Sequence, residues 1–290
     1  MPEVEVQDRV GAGLDALDVP TARAEGPRWR RIARGLLPPI GALVLLVAIW
    51  QVLWAAAFWP EYQLPAPLTV WARFEELFRT GTIVEVLWTS IHRAVLGFLV
   101  ALVIATPLGL LIAKVRLVRA AIGPLVSGLQ SLPSVAWVPA AILWFGTKDT
   151  AIYFVVLLGS VPSIANGLVS GIDQIPPILP RVGKTLGASR LAAARHILLP
   201  AALPGYLAGL KQGWAFSWRS LMAAELIAQS PDLGLGLGAY LNQGSSYNDM
   251  SMVMAAIFLI LLVGIGIELL VFRPVERAVL RARGLTGALA

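Results

Sequence analysis

The chain has 290 residues, of which 57% are hydrophobic and only 14% are charged. Soluble domains carry about 25% charged residues, so this composition excludes an ordinary soluble protein and favours a membrane protein. A net charge of +6 can indicate nucleic-acid binding, but with a mean hydropathy of +0.75 it is better explained by basic loops beside a membrane. The chain has no cysteine, which excludes disulfides and thiol chemistry.

Residues 1–34 precede the first apolar segment and begin as a polar, mixed-charge stretch with several glycines. We predict that they form a disordered cytoplasmic tail. Six apolar segments follow, each close to the roughly 20 residues that a helix needs to cross a bilayer. They cover residues 36–59, 86–113, 120–147, 150–172, 203–227 and 250–272. A spanning segment must satisfy its own backbone hydrogen bonds, so all six are predicted to be helices.

Basic residues are concentrated in every second connection. The four clusters are Arg28, Arg30, Arg31 and Arg34; Lys114, Arg116 and Arg119; Arg181, Lys184, Arg190 and Arg195; and Arg273, Arg277, Arg281 and Arg283. The alternate connections hold only Arg73, Arg79 and Lys148. Because cytoplasmic loops are enriched in lysine and arginine, the pattern predicts an all-α membrane protein with six transmembrane helices and both termini in the cytoplasm.

The two longer outer connections are predicted to differ in structure. Trp71, Phe74, Leu77 and Phe78 follow helical spacing in residues 60–85, which indicates an amphipathic helix at the outer interface. Residues 229–249 are rich in glycine and serine, which predicts an irregular loop.

The longest inner connection, residues 174–200, is predicted to be a basic helical hairpin. Its two short helices would break at Gly187-Ala188-Ser189, with Ser189 as the N-cap of the second. Pro200 and Pro204 would then redirect the chain toward the membrane. A hairpin this long exceeds what a plain connector needs, which predicts a partner.

Several motifs resemble one membrane-protein family. Thr185-Leu186-Gly187-Ala188-Ser189, followed by Leu198-Leu199-Pro200 and Ala201-Ala202-Leu203-Pro204, resembles the cytoplasmic EAA loop of binding-protein-dependent ABC permeases. Residues 129–139, 143–146, 64–67, 106–109 and 224–226 are similar to permeases for aliphatic sulfonates, taurine, nitrate and related small anions. The resemblance covers about residues 35–285. Arg181-Val182-Gly183 stands where the family commonly has Glu-Ala-Ala, so an acidic docking contact is not carried over.

The resemblance implies a permease subunit of an ATP-driven importer rather than an enzyme, in a bacterial inner or plasma membrane that it crosses several times. In this family the first short helix of the loop docks in a groove of a separate ATPase. The residues expected to couple to that ATPase are Arg181, Lys184, Thr185, Leu186, Gly187, Ala188, Ser189, Leu199 and Pro200. ATP and Mg²⁺ would bind to the ATPase, and this chain is expected to hold no cofactor.

The resemblance also implies the other partners: an ATP-binding-cassette ATPase dimer, a second copy of this chain, membrane lipid and an extracellular or periplasmic substrate-binding protein, but no nucleic acid. Residues 60–67 and 233–248 are the candidate docking surfaces for the binding protein. The leading substrate is an aliphatic sulfonate, with nitrate, taurine, bicarbonate or a pyrimidine precursor as alternatives. An ion-coupled secondary transporter is the competing class of function.

Three local patterns imitate other sites. Gly183-Lys184-Thr185 resembles the end of a phosphate-binding loop, but position 178 is isoleucine where the pattern needs glycine. Gly234, Gly236 and Gly238 imitate a dinucleotide fingerprint, and we attribute them to loop flexibility. His92 and His196 fall on opposite sides of the predicted membrane, so they cannot share a metal, and no metal site is expected.

Ionisable residues inside spans usually face a cavity or a partner. Arg93 and Lys211 lie near span ends, where snorkelling explains them. Arg219 and Glu225 lie deep in the fifth span and about 120° apart on the helix, so they are not expected to pair with each other. We expect them to line the translocation path with Trp214 and Trp218, although pairing with another helix or subunit remains an open alternative.

Overall fold

The computed structural model describes residues 28–282, which fall into two compact units that divide between Phe58 and Trp59. Most of the predicted tail, residues 1–27, lies outside the described residues, as do residues 283–290. The described part of the first unit is one helix, α1 (Arg28–Ala55), which begins inside the segment predicted to be disordered. Its apolar stretch, Ile40–Ala55, is shorter than the spanning helices of the second unit.

The second unit is built from helices, and no strand occurs between residues 28 and 282. In chain order they are α2 (Pro67–Arg79), α3 (Thr82–Lys114), α4 (Arg116–Ser131), a 3₁₀ turn (Ser134–Trp137), α5 (Val138–Phe145), α6 (Asp149–Asp173), α7 (Ile178–Thr185), α8 (Arg190–Ala193), a π-helical segment (Ala194–Leu198), α9 (Leu199–Ile227), a 3₁₀ turn (Pro231–Leu233), α10 (Leu237–Ser246), α11 (Met250–Ile267), a second π-helical segment (Glu268–Phe272) and α12 (Arg273–Ala282).

Four continuous helices in the described residues are long and apolar enough to cross a membrane. They are Thr82–Lys114, Asp149–Asp173, Leu191–Ile227 and Met250–Ala282. A fifth span results if the bent pair Arg116–Ser131 and Ser134–Phe145 crosses as one. The all-α membrane fold is therefore confirmed, whereas the count of six spans and the location of both termini remain predictions.

The third predicted span is broken rather than continuous. Its two helices meet at 97° around Pro133, because proline lacks an N–H and the preceding Leu132 is extended, with ψ of 132°. Polar side chains beside the break have partners on the neighbouring helices. Asn166 Nδ2 donates to Gln130 Oε1 at 2.7 Å, and the Ser134 and Ser220 hydroxyls lie 2.6 Å apart. Irregular backbone at membrane depth is tolerated where such partners or a cavity satisfy it.

The fifth span is longer than predicted and is continuous with the second arm of the hairpin. The helix runs from Leu191 to Ile227, 37 residues or about 55 Å, so the prediction that Pro200 and Pro204 restart the chain is wrong. Pro200 lies in the first turn after the π-helical segment, and Pro204 lies inside α9.

A stripe of small residues joins α6 to α9. These residues recur every fourth position: Gly159, Ser163, Gly167 and Gly171 on α6, and Gly205, Gly209 and Gly213 on α9. A Cβ atom at Gly209 would lie 2.6 Å from the Cα of Gly167, and one at Gly205 would lie 2.7 Å from the Cα of Gly171. The two backbones therefore touch, which is how helices associate closely inside a bilayer.

The two longer connections predicted to lie outside both contain a helix. The predicted amphipathic helix is present as α2, with Val70 and Leu77 buried and Trp71 exposed. The irregular loop predicted for residues 229–249 is wrong, since α10 occupies half of it and buries Leu237. The buried apolar residues at this end of the segment outweigh the local signal of its glycines and serines.

Aspartate 249 fastens the end of that connection. Its carboxylate accepts from the Met252 N–H at 3.1 Å, caps α11 and pairs with Arg73 of α2. Burial alone would raise the pKa of Asp249, but hydrogen bonds from Ser251 and Met252, together with the Arg73 charge, hold that pKa below its usual value. The carboxylate is therefore charged near neutral pH and links the two outer connections.

Candidate coupling site and translocation path

The hairpin turns at the predicted position. Gly187 has φ of +78°, a conformation that glycine adopts without the Cβ clash other residues suffer. Its N–H donates to Lys184 O at 3.1 Å, and the Ala188 N–H donates to Gly183 O at 3.0 Å. This pattern satisfies the last carbonyls of α7 and ends the helix.

Ser189 begins the second half of the hairpin as predicted. Its Oγ accepts from the Ala192 N–H at 3.2 Å, which is the geometry of an N-cap. The backbone of α8 then passes through the π-helical segment into α9 without a break. The second arm of the hairpin and the fifth span are thus one continuous helical element.

Gly183 explains how the hairpin closes. It is buried, and a Cβ atom there would collide with the side chain of Ile197. The glycine leaves room for the end of the Ile197 side chain against α7. Gly183-Lys184-Thr185 lies at the end of a helix rather than in a phosphate-binding loop, and the Thr185 hydroxyl donates to Arg181 O of the same helix at 3.1 Å.

The exposed surface of the hairpin carries large apolar side chains and positive charges. Leu186 and Leu191 are each 80% exposed, and Arg181 and Lys184 are exposed with no ion pair among the described residues. A groove of about 450 Å³ opens between the two arms. It is lined by Leu179, Val182, Gly183, Leu186, His196, Ile197, Pro200 and Ala201. Exposed large apolar side chains grouped in this way are typical of a protein-binding surface.

The structure brings most of the predicted coupling residues together. Arg181 to Ser189 form the first arm and the turn, and Pro200 lines the groove from the second arm. Leu199 instead packs into the apolar core with Leu198. His196 lies on the helix surface, where its Nδ1 is 3.1 Å from Ala192 O.

Three of the four predicted path residues share one cavity. This cavity, of about 570 Å³, lies between α9 and the C-terminal helices. Arg219 is exposed on its wall, with its guanidinium carbon 4.6 Å from the centre of the Phe216 ring. Trp214 and Trp218 are buried beside it as a stacked pair with ring centres 6.5 Å apart. Among residues 28–282, no carboxylate forms an ion pair with Arg219.

Two neighbouring polar groups on this stretch of α9 lack partners within the described chain. The Trp218 indole N–H and the Ser217 hydroxyl are buried and make no hydrogen bond within the described chain. Buried groups of this kind often mark a place where another molecule or water binds. Lys211 lines the same cavity, and its Nζ lies 2.6 Å from Glu268 Oε1, so snorkelling alone does not account for it.

Glu225 lies elsewhere, and the interpretation of Arg93 is corrected with it. Arg93 does not snorkel but is buried, with its Nη1 donating to Glu225 Oε1 at 3.0 Å. Gly236 and Gly238 pack directly against Glu225, so loop flexibility does not explain them. Glu225 therefore pairs with a residue of another helix, α3, outside the cavity that holds Arg219. Nothing local in the sequence links Arg93 to Glu225, because 132 residues separate them.

Comparisons with known proteins agree with these features. The family model described as binding-protein-dependent transport system inner membrane component matches residues 105–277, which include the broken span and the hairpin. The chain is 31% identical to a putative ABC transporter permease protein of Methanocaldococcus jannaschii over 67% of this chain and 72% of that protein.

Two further relatives carry substrate names. The taurine transport system permease protein of Escherichia coli is 27% identical, over 83% of this chain and 89% of its own length. The putative aliphatic sulfonates transport permease protein of Bacillus subtilis is 29% identical, over 86% of this chain and 87% of its own length.

A solved structure shares the fold. The match is to the MetNI methionine ABC transporter in inward facing conformations, with a TM-score of 0.53 and 20% identity. It covers 68% of this chain and 95% of that one. At this identity the likeness concerns the fold alone.

Proposed function

The chain belongs to the family of binding-protein-dependent transport system inner membrane components and is an ABC transporter permease subunit, and on that premise we propose that it serves an ATP-driven importer of a small organic anion, with an aliphatic sulfonate as the leading substrate. The partner ATPase, rather than this chain, would bind ATP and Mg²⁺. The membrane location of this chain follows from its family and from its spanning helices.

The observation that carries the proposal is the exposed hairpin at the root of the fifth span. Leu186 and the groove beside it are apolar, Arg181 and Lys184 of the first arm add positive charge, and the second arm leads without a break into a spanning helix. A partner seated on this surface would act on a stiff element. Opening and closing of a nucleotide-dependent ATPase dimer would then bias the helices between two arrangements.

The cavity beside Arg219 supports an anionic substrate. A cation without a carboxylate partner in the described chain, next to two stacked indoles, suits a molecule with a negative head and a short apolar body. Alkanesulfonates and taurine have this shape. Bicarbonate, nitrate and a pyrimidine precursor are the alternatives, and competition by each against uptake of labelled taurine would rank them.

The complete transporter would contain two copies of this chain, an ATPase dimer, an extracellular or periplasmic binding protein and surrounding lipid. Large apolar side chains remain exposed along the spanning helices, as contact with lipid or a second subunit requires. Residues 60–67 and 233–248 are the candidate surfaces for the binding protein.

Docking of the ATPase is tested most directly by placing a charge on the hairpin. Leu186→Asp should reduce co-purification of the ATPase with this chain about tenfold or more, because the variant buries a carboxylate in an apolar contact. Leu117→Asp is the matched control, since Leu117 is 79% exposed in the other basic connection. Undiminished co-purification with Leu186→Asp would contradict docking at the hairpin.

A further inference from the structure

The far end of the fifth span carries a buried ion pair. Glu225 is 1% exposed and Arg93 is 5% exposed, and their side chains are 3.0 Å apart. A buried pair of charges stabilises a protein only where further hydrogen bonds satisfy both groups. The surroundings of this pair supply them from four separate segments.

The Glu225 carboxylate also holds the outer connection. Ser90 of α3 donates its hydroxyl to Glu225 Oε2 at 2.7 Å, and the Gly238 N–H donates to the same oxygen at 3.1 Å. The Ser90 hydroxyl in turn accepts from the Leu237 N–H at 2.8 Å. Glu225 therefore contacts the first turn of α10 both directly and through Ser90.

Arg93 completes the cluster on the other side. Its Nε donates to Asp149 Oδ1, at the start of α6, at 2.8 Å, and its Nη2 donates to Leu233 O. The guanidinium thus joins the third, sixth and ninth helices to the 3₁₀ turn at Leu233. We call Ser90, Arg93 and Glu225 the outer latch.

The glycines of the outer connection fit this latch closely. A Cβ atom at Gly236 would lie 2.6 Å from the Glu225 carboxyl carbon. One at Gly238 would lie 2.6 Å from the Cβ of Glu225 and 2.7 Å from Met222 O. The segment from Leu233 to Gly238 is therefore seated on α9 and has no room to slide along it.

The latch lies at the opposite end of the helix from the hairpin. Glu225 is 34 residues beyond Leu191, about 50 Å along one continuous helix. Backbone contact between Gly167 and Gly209 fastens this helix to α6 along its length. A displacement imposed at the hairpin would reach the outer connection through a stiff element instead of being lost in a flexible joint.

We propose that Arg93 and Glu225 are positioning residues that make the outer segment 233–238 move with the fifth span. They would hold in place the surface that a substrate-binding protein contacts. Docking of that protein and the position of the hairpin would then influence each other. This inference rests on the proposed function, and it assigns to the latch a role beyond holding the fold together. Linkage between two such sites must be reciprocal.

The test measures ATP hydrolysis by the reconstituted permease and ATPase, with and without the liganded binding protein. In Glu225→Gln the side-chain volume stays, but an amide that replaces the carboxylate loses the ion pair with Arg93. We expect stimulation by the binding protein to fall about tenfold, within the usual range for coupling between sites, while basal hydrolysis by the assembled complex changes little. The melting temperature should fall, because Arg93 stays buried with one charged partner fewer. Glu85→Gln is the matched control, because Glu85 is exposed and lines a cavity of about 520 Å³ that Arg93 and Glu225 also line.

A second variant separates charge from position. Gly238→Ala keeps every charge of the latch but pushes the outer segment off Glu225, and it should lose stimulation in the same way. Wild-type stimulation in both variants would overturn the inference, and so would a parallel fall of basal hydrolysis, stimulated hydrolysis and melting temperature. If Glu225→Gln does not assemble, Gly238→Ala decides. If the wild-type complex shows no stimulation at all, the proposed function fails instead.

Discussion

Arg219 is the residue whose surroundings bear most directly on the nature of the substrate. It lies two-thirds of the way along α9, over Phe216, and its Nε donates to Ala215 O of its own helix. A cation inside a spanning segment is costly unless a partner or a cavity compensates for it. In the described chain the compensation comes from the cavity and the aromatic ring rather than from a carboxylate.

Replacing Arg219 with glutamine should slow uptake of an anionic substrate about tenfold, equal to about 1.4 kcal/mol, because the positive charge on the path is lost. Arg219→Lys should keep part of the rate. Initial uptake rates at saturating ATP measure both variants. Arg79→Gln, at an exposed position in the last turn of α2, controls for the lost charge. Full uptake by Arg219→Gln would remove this residue from the path.

Some residues were predictable and others were not. Gly187 and Ser189 take the positions that their local chemistry indicates, since a turn glycine and an N-cap depend on near neighbours. The latch depends on Arg93 and Glu225, which only the folded chain brings together. The glycines next to Glu225 imitate a flexible loop because sequence alone does not reveal what a missing Cβ makes room for.

At the scale of elements, hydropathy located the spanning helices but not their interruptions or lengths. Pro133 breaks its span, whereas Pro204 lies inside a continuous helix. Both prolines follow a leucine, so their neighbours in sequence do not show which of them breaks its helix. The groups around each proline in the fold make the difference. Gln130 and Ser134 at the break find polar partners on α6 and α9.

The stripe between α6 and α9 gives a prediction for helix packing. Gly209→Ala should destabilise the protein by about 1–3 kcal/mol, because the added methyl group forces two touching backbones apart. Helix propensity alone would predict the opposite sign, a gain of up to about 1 kcal/mol. Denaturant unfolding in one detergent measures the free energy of unfolding.

Gly128→Ala is the matched control for that experiment. Gly128 also lies inside a helix, α4, but a Cβ atom there would meet nothing within 4 Å. It should therefore be neutral or slightly stabilising. Equal effects of the two substitutions would contradict close packing between α6 and α9.

At the scale of the whole molecule, the chain is organised around the pair of helices that flank the hairpin. The broken third span and α3 pack against α6, and the outer connection is tied to the end of α9. An ATPase on the hairpin and a binding protein on the outer connection would thus act on opposite ends of one element. The family relationship makes this chain a permease subunit. In this arrangement, a movement driven by the ATPase would pass along α9 to the translocation path.

ATP hydrolysis by a partner subunit is proposed to drive substrate through this chain. The most direct measurement is uptake of labelled taurine into proteoliposomes that contain this chain and its ATPase, with binding protein outside and ATP inside. We predict uptake that needs both, and that stops when the ATPase carries a substituted phosphate-binding lysine. Uptake that persists with the inactive ATPase, or that follows an imposed ion gradient without ATP, would contradict the account.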